Sequence, residues 1–260
     1  MTVFFRKGSS SARVCLRATR IATLTATSLA VTAPLGSAQA FRSEMLGPSM
    51  LVKVQASAST NPETVRLLTG LAKIESDLQL GMLSLQDGLP HPEGSHFTHP
   101  RAETWPEIRD GLAKAGVADF EAQLQALEAG GGKDAVLSAY KDAIKALMQA
   151  RNTLQPTNKD MVLSILDQAW AVVGEINASG PTEIGNYQDA WAMLLVARSQ
   201  VDLLPKNADP AVAKAAAEIA RALDDVILSM PDPNQKAPVA FDPAPITAAV
   251  STLEALAGSV

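Results

Sequence analysis

The sequence has 260 residues, with 22 basic and 27 acidic side chains, three histidines and one cysteine. An acidic chain repels phosphate backbones, so the composition argues against nucleic-acid binding. The one cysteine, Cys15, lies near the N-terminus, and the chain beyond it can form no disulfide and offers no thiolate to a metal. A metal site beyond Cys15 would therefore use nitrogen and oxygen ligands, with methionine sulfur as a further option.

The N-terminal forty residues have the pattern of a secretory signal peptide. They contain five basic residues and no acidic one, an apolar run at 21–35, and small residues at Ala38 and Ala40 before Phe41. We predict cleavage near Ala40 and export to a bacterial periplasm, with an uncleaved N-terminal anchor as the alternative. The apolar run is shorter than a bilayer span, so no stable membrane insertion is expected after cleavage. Without the leader, 17 basic and 27 acidic residues remain, a net charge of −10.

The remaining chain, 41–260, reads as helices separated by short polar connections. Alternating β-strand patterns are nearly absent, whereas apolar residues recur at spacings of three and four. The sequence predicts an all-α bundle of six to eight helices, mostly antiparallel with up-down packing, in a single domain. A subdivision near residue 156 is the alternative. The predicted helices are 62–88, about 100 or 106 to 115, 119–131, 133–153, 158–178, 183–204, 210–230 and 246–257.

All three histidines lie in the segment HPEGSHFTHPRAETW, residues 91–105. If the backbone is helical from about residue 98, His99 and Glu103 lie one turn apart on one face, and His96 can fold back towards them. Imidazoles with a carboxylate suit zinc, copper or ferrous iron, so we predict a metal site formed by His96, His99 and Glu103, with His91 as an auxiliary ligand. The alternative is an ordinary structural loop.

The helix 183–204 contains a second group of polar residues. It is interpreted either as a core helix with an aromatic seam or as one wall of a polar pocket. Four acids on otherwise apolar helices could also point into the bundle and bind cations: Asp77, Asp87, Asp167 and Asp202. G-x-S-x-G is absent, and Glu-x-x-His occurs once, at residues 93–96, whereas a di-iron bundle needs this motif on each of two helices. A serine hydrolase and a di-iron bundle are therefore disfavoured, and no enzymatic activity is predicted. The candidate pocket residues are Tyr187, Asp189, Glu175 and Glu183.

Two segments, HFTHPRAETWPEIRDGLAKAGVADFEAQLQALEAG and NYQDAWAMLLVAR, resemble parts of exported, all-helical proteobacterial proteins. These are similar to imelysin-type periplasmic proteins and to the helical periplasmic module of some iron permeases. The resemblance covers about 75–205 and implies an exported bundle connected with metal-ion handling. The resemblance implies a metal-binding role for His96, His99 and Glu103, and more weakly for Tyr187 and Asp189. The imelysin signature G-x-H-x-x-E is absent, since its nearest analogue, GMLSL at 81–85 with Met82, contains no histidine, and no peptidase activity is implied.

These features lead to one functional hypothesis and one alternative. The hypothesis is a periplasmic metal-ion-binding protein that captures or delivers iron, copper or zinc, with a membrane metal permease or another periplasmic protein as partner. The alternative is a non-catalytic periplasmic scaffold whose histidine loop is purely structural. It predicts an apolar patch around Trp105 or the proline-rich stretch 231–245.

Overall fold

The structure is a computed structural model that describes residues 60–87, 96–177, 179–204, 209–235 and 237–258. All of them belong to one compact unit, Met45–Val260. The predicted signal peptide, its cleavage near Ala40 and the auxiliary ligand His91 lie outside the described residues. Among the described helices, none is long and apolar enough to cross a bilayer.

The prediction of an all-α bundle is confirmed. The described residues form eight α-helices and one short π-helical turn, Pro100–Thr104, and they contain no β-strand. An isolated bridge joins Thr182 to Val239 and ties the connection before one helix to the proline-rich stretch. The α-helices are α1 (Pro62–Asp87), α2 (Trp105–Lys114), α3 (Glu121–Glu128), α4 (Lys133–Leu154), α5 (Asn158–Glu175), α6 (Ile184–Val201), α7 (Pro210–Ser229) and α8 (Ala244–Ala257).

Side-chain caps set the starts of three helices. At α1, Asn61 Oδ1 accepts hydrogen bonds from the backbone N–H groups of Glu63 (3.1 Å) and Thr64 (3.4 Å). At α7, Asp209 accepts from the N–H of the second helical residue at 2.8 Å. At α5, Thr157 and Asp160 form a reciprocal capping box. These partners satisfy backbone donors that a helix start leaves unpaired, which is why the helices begin there.

Helix α1 lies at the centre of the bundle. It packs against α5 and α6 on one side and against α2, α4 and the π-helical turn on others. Its predicted apolar stripe is buried, except that Leu85 in the last turn is 43% exposed. Because α1 contacts four other helices and the π-helical turn, even polar residues such as Glu75 and Ser76 are buried along it. The buried stripe consists of Leu67, Leu71, Ile74, Leu78 and Met82.

Candidate metal centre

Three side chains from two parts of the chain converge at one point of the bundle. Asp77 comes from α1, and His96 and His99 come from the segment just before the π-helical turn. Each offers one ligand atom, and these atoms all lie within 4.8 Å of one another. His96 is fully buried, whereas His99 and Asp77 keep 18% and 17% of their side-chain surface exposed. The cluster is thus buried on the His96 side and reaches solvent on the other.

A close contact between Phe97 and Gly81 brings the histidine segment onto α1. A Cβ atom placed on Gly81 would lie 2.5 Å from the Phe97 ring, closer than non-bonded carbon atoms pack. Only glycine therefore allows this ring to rest on the backbone of α1. Phe97 is 6% exposed, and it lies between the two histidines in the sequence. Its burial on α1, one turn beyond Asp77, places both imidazoles beside that carboxylate.

The π-helical turn holds the other end of the segment. The N–H of Trp105 donates to the carbonyl of Pro100, a span of five residues instead of the usual four. Trp105 is 3% exposed and packs on Phe120, with ring centroids 4.5 Å apart. Arg101 forms an ion pair with Glu128 at the end of α3. Single π-helical turns inside α-helices often occur at functional sites, and here the turn directly follows His99.

The distances within the cluster are those of ion pairs and ring contacts. His99 Nδ1 lies 3.7 Å from Asp77 Oδ1, and His96 Nδ1 lies 3.9 Å from Asp189 Oδ1. Both separations exceed the range of a hydrogen bond. The two imidazole rings are 5.5 Å apart at an interplanar angle of 69°. The pair of imidazoles therefore lies between two carboxylates that come from α1 and α6.

The electrostatics of the cluster favour a cation. The contact with Asp77 raises the pKa of His99 above its ordinary value and outweighs the opposing effect of burial, and the charges of Glu103 and Asp189 act in the same direction. Burial raises the pKa of the Asp77 carboxyl, although His99 partly counteracts this. A cation bound beside His99 would therefore interact favourably with the carboxylates of Asp77, Glu103 and Asp189.

Two imidazoles with one carboxylate form a recognised ligand set for transition metals. Zinc binds two histidines and a glutamate in several hydrolases, and ferrous iron binds two histidines and one carboxylate in many oxygenases. Three protein ligands leave at least one coordination position for water or another small ligand. The cluster therefore has the donor atoms of an exchangeable metal site, rather than those of a closed structural one.

The structure brings together only part of the predicted ligand set. His96 and His99 converge as predicted, but Glu103 is exposed and acts on His99 and Asp77 only through its charge. The reason is the π-helical turn, because its hydrogen bonds span five residues and side chains four apart no longer lie above one another. Asp77 stands in the cluster where Glu103 was predicted. In the sequence, Asp77 is one of four acids on otherwise apolar helices, and its position one turn before Gly81 is the further signal.

The four candidate pocket residues lie in different surroundings. Tyr187 is fully buried, and its hydroxyl donates to the carbonyl of Pro231. Asp189 is two residues further along α6, about 200° around the helix, and faces His96 instead. Glu183 is exposed at the N-cap of α6, and Glu175 is half-buried at the end of α5. Of these four, Asp189 is the residue that contributes to the histidine cluster.

Comparisons of the chain with protein-family models, with curated proteins and with solved structures found no match. The resemblance to imelysin-type proteins stays a prediction that depends on the two segments quoted above.

Proposed function

We propose that this chain is an exported, periplasmic helical-bundle protein that binds one transition-metal ion at Asp77, His96 and His99. The observation that carries the proposal is the convergence of these three ligand atoms within 4.8 Å. Two of the three donors are imidazole nitrogens, which suit zinc, copper and ferrous iron, whereas calcium and magnesium require oxygen ligands. The candidate ions are therefore iron, copper and zinc.

The proposed role is capture or delivery of the ion. Partial exposure of Asp77 and His99 gives an ion a path to solvent, and the open coordination positions allow a ligand from another molecule to take it over. A membrane metal permease or another periplasmic protein is the proposed recipient. The acidic surface, with a net charge of −10 beyond the leader, attracts cations towards such a site.

Export is the second part of the proposal, and it is supported by the basic, apolar and small-residue order of residues 1–40. Expression of the full-length gene in a Gram-negative host, followed by fractionation and N-terminal sequencing, tests it. We expect the periplasmic protein to begin at Phe41. Uncleaved protein in the cytoplasmic fraction would contradict export, and uncleaved protein in the membrane fraction would indicate an anchor.

The scaffold alternative receives less support from the structure. It predicted an exposed apolar patch around Trp105 or residues 231–245. Trp105 is 3% exposed and packs inside the bundle. In the second region, the Pro231 carbonyl accepts from Tyr187, and Val239 is 5% exposed and bridged to Thr182. The Trp105 region is therefore engaged in internal packing, whereas the stretch 231–245 is anchored at Pro231 and Val239 and exposes other residues, including Pro238 and Ala240.

Metal titration of the purified full chain tests the proposal. Any purification tag is removed and Cys15 is replaced by serine, because a thiolate would compete for the same ions. Competition with a chromogenic chelator then measures the affinities for Fe²⁺, Cu²⁺ and Zn²⁺. We expect one ion per chain, loss of binding in a His96→Ala/His99→Ala double variant, and retained binding in Glu103→Gln as a matched surface control. Absence of binding for all three ions, or equal binding by the double variant, would overturn the proposal.

A further inference from the structure

Asp189 is a carboxylate of α6 that lies behind His96, outside the group of three converging ligands. Its Oδ1 is 3.9 Å from Nδ1 of His96, and 36% of its side chain is exposed. The ligand atoms of Asp77, His96 and His99 lie within 4.8 Å of one another, and Asp189 is not part of that set. Its position therefore suits a role that acts through His96 rather than direct contact with an ion.

The two nitrogens of an imidazole cannot both bind the same ion. In metal sites, the nitrogen that does not bind the metal commonly donates its proton to a carboxylate, which fixes the tautomer and orients the ring. Nδ1 of His96 faces Asp189, so Nε2 is the nitrogen left for a metal. Because the 3.9 Å separation is longer than a hydrogen bond, the Asp189 side chain must move closer by about 1 Å to accept a hydrogen bond from Nδ1–H.

We propose that Asp189 is the positioning residue of the metal site: it holds the proton on Nδ1 of His96, so that Nε2 binds the ion. This inference rests on the proposed function. It adds α6 to the site, a helix of which ten of the eighteen residues are buried in the core. Because Asp189 is carried by a helix, its contact would limit rotation of the His96 ring and hold Nε2 in the position that the metal requires.

The first experiment compares Asp189→Asn, Asp189→Ala and the matched control Glu183→Gln, which removes one charge from the exposed start of the same helix. Outer carboxylates of this kind typically change metal affinity by about 10–100-fold. We expect Zn²⁺ affinity to fall by about that factor in Asp189→Ala and by less in Asp189→Asn, whose carbonyl oxygen can still accept a hydrogen bond from Nδ1–H. Glu183→Gln should bind like the unmodified protein.

Two spectroscopic readouts separate positioning from general damage. Long-range ¹H–¹⁵N spectra of the metal-free protein should show His96 as the Nδ1–H tautomer, and this preference should be lost in Asp189→Ala. The visible spectrum of the Co²⁺-loaded protein should keep the same coordination number in Asp189→Asn, because the residue does not touch the ion.

Each outcome has a distinct meaning. Equal Zn²⁺ affinity in Asp189→Ala and Glu183→Gln, or an unchanged His96 tautomer, would overturn the positioning role while the proposed function stands. A changed Co²⁺ coordination number would also overturn it, in favour of Asp189 as a direct ligand. If the unmodified protein binds none of Fe²⁺, Cu²⁺, Zn²⁺ and Co²⁺, the proposed function itself fails.

Discussion

Helix α1 presents two acidic residues, Glu75 and Asp77, to two different partners. Glu75 approaches Arg151 of α4 with 2.7 Å between Oε2 and Nη2, and both side chains are about 95% buried. Asp77 lies on another face of the helix and meets two histidines. Arginine stays protonated at all relevant pH values, so the Glu75 pair is permanently neutralised. Histidine can release its proton and offer a lone pair, and only the Asp77 region can therefore exchange a proton for a metal ion.

This contrast shows that the partner of a buried carboxylate, and not its burial, decides whether the carboxylate can bind a ligand. Glu75 and Asp77 are only two residues apart in the same helix, which has a continuous apolar stripe. The partner decides whether the charge is held inside the fold or is available to a ligand. The predictions below test this difference, from the largest expected effect to the smallest.

The largest effect on stability is expected from Arg151→Ala. This change leaves Glu75 charged and buried without its cation, which typically costs about 3–5 kcal/mol. Urea denaturation monitored by circular dichroism measures the free energy of unfolding. Metal affinity of the folded variant should stay within a few-fold of the unmodified protein, because the pair lies on a different face of α1 from Asp77.

The matched control replaces both partners by apolar residues, as Glu75→Leu/Arg151→Met. In the described part of the chain, Nε and Nη2 of Arg151 have no hydrogen-bond partner in suitable geometry, so the pair depends on charge. Replacing such a pair is often neutral or stabilising. A double variant as unstable as Arg151→Ala would show that packing, and not an uncompensated charge, causes the loss.

Gly81→Ala should destabilise the fold less than Arg151→Ala does, and it should also weaken metal binding. The new methyl group would lie 2.5 Å from the Phe97 ring and force the histidine segment away from α1. Overpacking of this kind typically costs about 1–3 kcal/mol, and metal affinity should fall with it. Thermal unfolding and chelator competition measure the two effects.

Gly174→Ala in α5 is the control for this substitution, because an added Cβ there meets no atom within 4 Å. Alanine in a helix is favoured over glycine by about 1 kcal/mol, so this variant should be slightly more stable and bind metal normally. Normal metal binding by Gly81→Ala would mean that the Phe97 contact does not position the histidines.

Asp77→Asn should have a small effect on the free energy of unfolding but a clear effect on the pKa of His99. The contact with Asp77 raises the pKa of His99 in the folded protein. The contact therefore stabilises the fold fully below the ordinary imidazole pKa of about 6.5, and this stabilisation is lost as pH rises through the raised pKa. Since both groups are partly exposed, this contribution is at most about 1 kcal/mol. In the variant, the pKa of His99 should fall, as measured by NMR titration of the metal-free protein.

An unchanged His99 pKa in Asp77→Asn would mean that the two groups do not interact in solution. For the unmodified protein, protons and metal ions compete for His99. The apparent metal affinity should therefore increase as pH rises through the raised pKa and level off above it. A pH-independent affinity would exclude His99 as a ligand.

Local sequence signals were sufficient to predict the helices. Asn61 before Pro62 and Asp209 before Pro210 are cap patterns that act within one turn, and both helices begin there. The buried stripe of α1 likewise follows from its own spacing. Such features depend on residues within a few positions of one another, so they can be read without knowledge of the fold.

The ligand set was only partly predictable because it depends on contacts between distant segments. The clustering of His96 and His99 indicated a metal site, but the choice of Glu103 assumed α-helical spacing. The π-helical turn ends at Trp105, which packs on Phe120 fifteen positions further along the chain, and neighbouring residues do not reveal that contact. Similarly, Asp77 joins the cluster through the contact between Gly81 and Phe97, sixteen positions apart in the chain.

The most direct test of the central claim is an anomalous-difference map from crystals of the Zn²⁺-loaded protein, recorded at the zinc absorption edge. The account predicts one strong peak about 2.0–2.2 Å from a nitrogen of His96, a nitrogen of His99 and a carboxylate oxygen of Asp77. For His96 that nitrogen should be Nε2. A zinc peak elsewhere on the chain, with none among these three residues, would contradict it.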